Sequence, residues 1–149
     1  MTMFNAINSS ASALTAERLR MDVVSSNIAN AQTTRATMNE EGELEPYRRK
    51  MVAVSPTENS FKSFLQQASS QTTGSGVRVT GIEEDETPFK SVYNPNHPDA
   101  DEAGYVQLPN VDPLKEMVDL MSATRSYEAN ITSLNASKGM LMKALEIGK

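Results

Sequence analysis

Both ends of this 149-residue chain carry apolar residues at a seven-residue period. In the N-terminal part the row is Ile7, Leu14, Met21 and Ile28. In the C-terminal part the stricter row is Leu120, Tyr127, Leu134 and Leu141, and its predicted partner row is Met117, Thr124, Ile131, Lys138 and Leu145. A seven-residue apolar repeat is typical of α-helices that bury a seam against another helix. The pattern therefore predicts two long terminal helices.

The N-terminal helix is predicted over residues 4–30, and the C-terminal helix is predicted to start at Asp112 and Pro113. The Asp112 carboxylate can cap free backbone N–H groups, and proline suits the first helical position. Gly148 and Lys149 mark the predicted end of this helix. Further apolar residues lie outside the rows: Leu19, Val23, Val24, Val118, Met140 and Met142. One partner helix cannot cover all of them, so we expect contacts with other subunits besides an intramolecular hairpin.

The middle of the chain lacks the repeat and holds short β-like runs rich in valine and aromatic residues, at 52–54, 77–82, 89–93 and 105–108. The spacing of Phe61, Phe64, Leu65 and Ala68 predicts a short amphipathic helix before a flexible loop at 69–76.

The predicted fold class is α+β and mainly α: long terminal helices packed as an antiparallel coiled coil, with a small β-containing insert between them. The predicted domain organisation is an N-terminal helix at 1–34, the insert at 35–111 and a C-terminal helix at 112–149.

Composition excludes several classes of function. The net charge of −5 argues against nucleic-acid binding, which needs a basic patch. The absence of cysteine excludes disulfides, thiolate catalysis and Cys-ligated zinc. Residues 1–16 contain no Lys or Arg and are interrupted by Ser and Asn, so we expect no cleaved secretory signal.

The single histidine, His97, lies in the acidic stretch N-P-N-H-P-D-A-D-E. A calcium-loop frame begun at Asn94 places Asp99 where the sharp turn demands glycine and Tyr105 where the bidentate glutamate belongs. A proline-punctuated surface turn is the better interpretation, and an acid/base or metal hydrolase using residues 94–102 is a remote alternative. We predict no catalytic residue, cofactor, metal or small-molecule substrate.

Asn27 and Asn30, in S-S-N-I-A-N-A-Q-T-T at 25–34, lie three residues apart and share a helix face. Side-chain amides form directional hydrogen bonds that can fix the register of packed helices, which an apolar seam does not do. A simple helix C-cap would explain Asn30 better than Asn27. Asn130 is predicted to play a similar part on the other helix.

Several motifs carry a resemblance to a known family. They are N-I-A-N-A-Q-T-T at 27–34, P-Y-R-R-K at 46–50, N-P-N-H-P-D-A-D-E-A-G-Y-V at 94–106, L-P-N-V-D at 108–112, E-M-V-D-L at 116–120, S-Y-E-A-N at 126–130 and K-A-L-E-I-G at 143–148. Together they resemble the bacterial flagellar rod and hook proteins. Arg35 and Ala36 stand where many members have glycine and an aromatic residue, which points to the proximal-rod subgroup.

The resemblance implies a structural subunit that polymerises through its terminal helices into the drive shaft of the flagellar basal body, needed for motility. It also implies self-association, contacts with other rod proteins and with the hook–basal-body adaptor, and export by the flagellar type III apparatus. The predicted packing residues are Ile7, Leu14, Met21, Asn27, Ile28, Asn30, Met117, Leu120, Tyr127, Asn130, Ile131, Leu134, Leu141 and Leu145. The alternative is a soluble coiled-coil adaptor or chaperone-like binding module, which would stop at small oligomers.

Overall fold

A computed structural model of the chain describes residues 2–38, 42–57 and 76–147. Among these residues, two long helices, α1 (Thr2–Ala29) and α2 (Pro113–Ile147), lie before and after six short strands in the sequence. The strands are β1 (Thr37–Met38), β2 (Leu44–Glu45), β3 (Lys50–Pro56), β4 (Val77–Glu84), β5 (Lys90–Tyr93) and β6 (Tyr105–Leu108). This architecture confirms the predicted terminal helices and the β-containing insert. The predicted helix at Phe61–Ala68, the loop at 69–75 and the end of α2 at Gly148 and Lys149 lie outside the described residues.

The start of α2 has the predicted cap. Asp112 Oδ1 accepts the N–H of Leu114 at 3.1 Å, and the Asp112 carbonyl accepts the N–H of Glu116 at 3.0 Å. Pro113 occupies the first helical position, where no backbone donor is required.

The strands form three separate pairs. In β1–β2, which is antiparallel, Thr37 lies opposite Glu45 and Met38 opposite Leu44. In β5–β6, also antiparallel, Tyr93 lies opposite Tyr105, and the two rings meet edge to face with their centroids 5.4 Å apart.

Strands β3 and β4 also pair with each other. Hydrogen bonds flank both ends of this pair, from Asp85 N to Arg49 O at 2.8 Å and from Thr57 N to Gly76 O at 2.7 Å. The start of β3 therefore lies beside the end of β4, so the two strands run in opposite directions.

The chain forms two compact units. The described parts of unit 1 are residues 2–20, 53–57, 76–81 and 122–147, and those of unit 2 are residues 21–38, 42–52 and 82–121. The buried apolar residues of unit 2 include Val23, Val24, Tyr47, Val106 and Val111, and those of unit 1 include Ala16 and Ala123. Among the described residues, most of the buried apolar side chains therefore lie in unit 2, which holds the end of α1 and the start of α2.

Burial along α2 follows a different row from the predicted pair. The row Leu120, Tyr127, Leu134 and Leu141 is half-buried, whereas Met117, Thr124, Ile131, Lys138 and Leu145 are exposed. The most buried residues lie on a third heptad row, which consists of Glu116, Ala123, Asn130 and Ser137. Ala123 and Ser137 have small side chains that pack closely, so this row is the most buried one although it is not the most apolar. In the single chain, the predicted partner row faces solvent.

The predicted row of α1, Ile7, Leu14, Met21 and Ile28, is half-buried throughout. Its most buried residues are instead Ala16, Val23, Val24 and Asn27. Neither described helix has an 18-residue stretch that is apolar enough to cross a membrane.

Candidate functional site

The most buried polar side chains of unit 2 are those of Asn27 and Glu116, each with 0% of its surface exposed. They come from the last turn of α1 and the first turns of α2, and the segment Pro46–Lys50 contacts both. We call the set Asn27, Tyr47, Arg49, Lys50 and Glu116 the Asn27 cluster.

Asn27 uses its full hydrogen-bonding capacity within the cluster. Its Nδ2 donates to the carbonyl of Lys50 and to Glu116 Oε2, both at 2.9 Å. Its Oδ1 accepts from the Tyr47 hydroxyl and from the N–H of Lys50, both at 3.0 Å. A carboxamide has two N–H donors and two acceptor lone pairs, so no group of this side chain is left unpaired. The four bonds connect α1 to the start of β3 and to α2.

The second oxygen of Glu116 binds Arg49, whose Nε donates to Oε1 at 2.6 Å. Arg49 also lies near Asp85 and Asp119, with Nη-to-carboxylate distances of 3.4 and 3.5 Å. Burial alone would lower the pKa of Arg49, but the hydrogen bond and charge of Glu116, followed by those of Asp85, raise it overall. A buried carboxylate is tolerated only when paired, and Arg49 supplies that pairing.

The Arg48 side chain and the Arg49 backbone of the segment P-Y-R-R-K also have contacts in unit 2. The Arg48 guanidinium lies 4.5 Å from the centroid of the Phe89 ring, a cation–π distance. The Arg49 N–H donates to Asn110 Oδ1 at 2.7 Å, and Asn110 Nδ2 donates to the carbonyls of Asp85 and Thr87 at 3.1 Å. The bond between Arg49 and Asn110 directly connects two of the motifs that resemble the flagellar proteins, those at 46–50 and 108–112.

A second polar cluster surrounds Asp99 in the turn that contains the lone histidine. Arg35 binds Asp99 Oδ1 through Nε at 2.6 Å and through Nη2, and the Thr34 hydroxyl donates to Oδ2 at 2.7 Å. The hydrogen bond from Arg35, followed by that from Thr34, lowers the pKa of Asp99. His97 Nδ1 accepts the backbone N–H of Asp99 at 3.1 Å. Among the described residues, no three His, Asp or Glu side chains are grouped to hold a metal ion.

The solvent-facing side of the first two turns of α2 is apolar. Leu114, Met117, Val118 and Met121 have the spacing i, i+3, i+4 and i+7, and they are 75%, 49%, 59% and 55% exposed. This spacing places them on one face, which we call the α2 stripe, roughly opposite the buried row that contains Glu116 and Ala123. A contiguous exposed apolar patch is typical of a surface that binds another protein.

Of the predicted packing residues, only Asn27 itself belongs to the Asn27 cluster. Asn30 and Asn130 form local bonds, each donating Nδ2 at 2.9 Å to the carbonyl four residues earlier, at Ser26 and Ser126. Asn30 thus binds a carbonyl at the end of α1, whereas Asn130 lies inside α2, which continues to Ile147.

Sequence reasoning did not identify the roles of Tyr47, Arg49 and Glu116. The available signal was Glu116 itself, four residues before Leu120 in the stricter heptad row. A carboxylate on the inner side of a helix requires a cation, and P-Y-R-R-K holds the one run of three basic residues in the sequence.

Two family models match the chain: the flagella basal body rod protein model over residues 7–37, and the C-terminal model of the flagellar basal body rod FlgEFG proteins over residues 102–147. The flagellar basal-body rod protein FlgC of Bacillus subtilis (strain 168) is 62% identical over 151 residues, covering 100% of both chains. FlgC of Borreliella burgdorferi is 45% identical and covers 99% of this chain and 98% of its own. FlgC of Salmonella typhimurium is 40% identical and covers 100% of both. These matches confirm the resemblance drawn from the motifs.

Proposed function

The chain belongs to the family of the flagellar basal-body rod protein FlgC, and we propose that this rod subunit polymerises through its two terminal helices. The observation that carries the proposal is the α2 stripe, because an apolar helix face left exposed in one chain can be buried between chains. Fully burying one such side chain is worth about 1.5–3 kcal/mol. Four of them repeated at every subunit are a substantial driving force for assembly.

The later part of α2 also exposes apolar side chains. Met140, Met142, Leu145 and Ile147 are also exposed, at 54%, 55%, 74% and 86%. The terminal helices then form an axial domain, predicted at 1–34 and 112–149 and paired as an antiparallel coiled coil, with the insert at 35–111 outside it. Packing of the half-buried row Leu120, Tyr127, Leu134 and Leu141 against helices of the same or neighbouring copies would complete the seam.

Within each subunit the Asn27 cluster sets the register between the end of α1, the start of β3 and the start of α2. Apolar side chains tolerate small slides along a seam, whereas the four bonds of Asn27 are satisfied in only one alignment. A rod that transmits torque needs subunits of a single shape, and a saturated buried polar group supports such uniqueness.

We further propose that the subunit contacts other rod proteins and the hook–basal-body adaptor, and that the flagellar type III apparatus exports it without cleavage. The Ser12 hydroxyl accepts the N–H of Val77 at 3.1 Å, so removal of residues 2–15 would take away a contact of unit 1. Intact-mass measurement of purified rods should find a subunit that retains Ser12. A mature chain beginning after residue 15 would contradict this part of the proposal.

The test of assembly compares Val118→Asp with Val118→Leu in cells that lack the native copy. Because Val118 is 59% exposed, the aspartate should change the unfolding free energy of the isolated subunit by no more than about 0.5 kcal/mol. Buried between subunits, the same aspartate should abolish rods in electron micrographs and stop swimming, whereas leucine should preserve both. Normal rods with Val118→Asp would show that this face of α2 is not an assembly surface.

A further inference from the structure

A groove in unit 2 lies between the hairpins β1–β2 and β5–β6, and neither the Asn27 cluster nor the α2 stripe includes it. Its volume is about 600 Å³, and its lining includes Leu44, Pro46, Tyr105 and Gln107. Tyr105 and Gln107 are two residues apart on β6, so both lie on the face of the β5–β6 hairpin opposite to buried Val106. We call this cavity the hairpin groove.

The groove combines exposed apolar side chains with negative charge. Leu44 is 52% exposed and Tyr105 is 48% exposed. Met38, which lies directly opposite Leu44 and so on the same face of its hairpin, is 68% exposed. Four carboxylates line the cavity against a single guanidinium, that of Arg35: Glu43, Glu45, Asp99 and Asp101. A complementary occupant would present apolar side chains beside positive charge.

The α2 stripe has these properties. Its four apolar residues cover two helical turns, about 10 Å of helix length. Lys115 is exposed beside them, and Glu116, the acidic residue of the first turn, is buried on the opposite side and bound to Arg49. The Asp112 carboxylate caps the N-terminus of α2, so the positive charge beside the stripe is that of Lys115.

We propose that the hairpin groove of one copy receives the α2 stripe of the next copy. The inference rests on the proposed function, because it names the surface that buries the stripe in the rod. Groove and stripe are different surfaces of one chain, so their pairing is a head-to-tail contact. Such contacts repeat without closing unless the rotation happens to close a ring, and the product is an open filament.

Engineered cysteine pairs test the contact without background, since the chain contains no cysteine. Leu44→Cys and Met117→Cys would be produced as two separate single-cysteine proteins in the same cells, and assembled rods would be purified and mildly oxidised. We expect a covalent dimer of the two proteins, because a disulfide requires the Cβ atoms to lie about 4 Å apart. Leu44→Cys with Ser133→Cys, an exposed position of α2 outside the stripe, should give none.

Charge exchange provides the second test. Lys115→Glu and Glu45→Lys should each reduce the number of rods per cell by roughly threefold, the scale of one exposed ion pair. Together the two changes should restore the number, because the pair is re-formed with reversed charges.

Two outcomes separate this inference from the proposed function. Fully assembled rods without the Leu44–Met117 dimer would show that the hairpin groove does not bind the α2 stripe of another copy. The same result is expected if a different rod protein fills the groove. Normal rods with Val118→Asp overturn assembly through the stripe itself, whatever the cross-linking result.

Discussion

The carboxamide nitrogen of Asn27 lies 2.9 Å from Oε2 of Glu116, and both side chains are fully buried although 89 residues separate them. A buried polar group destabilises a fold unless it is paired, and both partners here are paired completely: Asn27 by four bonds, Glu116 by Asn27 and Arg49. Changing either residue leaves several buried groups without partners. Substitution of Asn27 or Glu116 is therefore a sensitive test of what stabilises unit 2.

Asn27→Asp should lower the free energy of unfolding by about 3 kcal/mol. Aspartate has the same shape, but it loses the donors to Lys50 O and Glu116 and adds a negative charge beside a buried carboxylate. Urea unfolding of the purified subunit measures the change. Asn30→Asp is the matched control, because Asn30 bonds only within the end of α1 and the turn after it, at Ser26 and Thr33, and its cost should stay near 1 kcal/mol.

The double variant Asn27→Asp with Glu116→Gln tests whether the contact between these two side chains causes the loss of stability. Glutamine can donate a hydrogen bond to the new aspartate, so the double variant should recover more than half of the lost stability. Equal losses in the single and double variants would show that the Asn27–Glu116 contact does not determine the stability of unit 2.

The sequence allowed prediction of the terminal helices, their heptad period and the cap at Asp112, because these depend on local spacing and backbone chemistry. It did not identify the most buried row of α2, Glu116, Ala123, Asn130 and Ser137, because hydrophobicity points to leucine, whereas this row combines small side chains with the ion-paired Glu116. The sequence indicated that Asn27 is unusual, but it did not identify the hydrogen-bond partners of Asn27. Those partners are 20 and 89 residues away in the chain, so the contacts depend on the tertiary fold.

Acid should destabilise the second cluster through Asp99. The Arg35 and Thr34 hydrogen bonds lower the pKa of Asp99 from its ordinary value of 3.8, so its contribution to stability is present above pH 3.8 and is lost as pH falls through the lower, folded-state pKa. The hydrogen bond and charge of Asp99 raise the pKa of Arg35, so the loss of this pair in acid follows the protonation of Asp99.

Asp99→Asn should therefore make the loss of unfolding free energy below about pH 4 less steep than in the unchanged chain. The pKa of Asp85 is also lowered, chiefly by hydrogen bonds from Thr87, so adding Asp85→Asn should reduce the slope further. Urea titrations at several pH values between about 2 and 6 measure the slopes. Parallel profiles for all three chains would contradict the assignment.

Two glycines should respond to alanine in opposite directions. Gly104 has φ +79°, and an added Cβ would lie 3.0 Å from Tyr93 Cε2 and 3.2 Å from Pro95 Cβ. Gly104→Ala should therefore cost about 1–2 kcal/mol. Gly139, inside α2, has no heavy atom within 4 Å of the added Cβ, and Gly139→Ala should stabilise the subunit by roughly 0.5–1 kcal/mol. Thermal unfolding measures the change in stability of each variant. A loss of stability with Gly139→Ala would be inconsistent with an open position.

Leu134→Asp should prevent rod assembly. Leu134 is half-buried in the stricter row of α2, and a charge there costs on the order of 2–4 kcal/mol once neighbouring helices cover it. Leu134→Met keeps the volume and should assemble, and Glu84→Ala, an exposed change at the end of β4, should be neutral. Motility and basal-body purification from cells lacking the native copy provide the measurement. Swimming with Leu134→Asp, together with failure of Glu84→Ala, would assign assembly to the insert.

Gly76 lies close to the side chain of Ser12 in unit 1. An added Cβ at Gly76 would lie 2.7 Å from Ser12 Oγ, the atom that accepts the N–H of Val77 at 3.1 Å. Gly76→Ala must therefore displace the hydroxyl and break that bond, at a cost of about 1–2 kcal/mol.

In a Ser12→Ala background the hydroxyl is absent and the remaining Cβ lies 3.4 Å from the new methyl group, which is an acceptable contact. Gly76→Ala should then cost about 1 kcal/mol less than it does in the unchanged chain. Gly81→Ala, with no atom within 4 Å of its added Cβ, is the control and should show no coupling to Ser12→Ala. A complete cycle of urea unfolding free energies measures the coupling. Additive costs for Gly76→Ala and Ser12→Ala would mean that the glycine is required for a reason other than its contact with the serine hydroxyl.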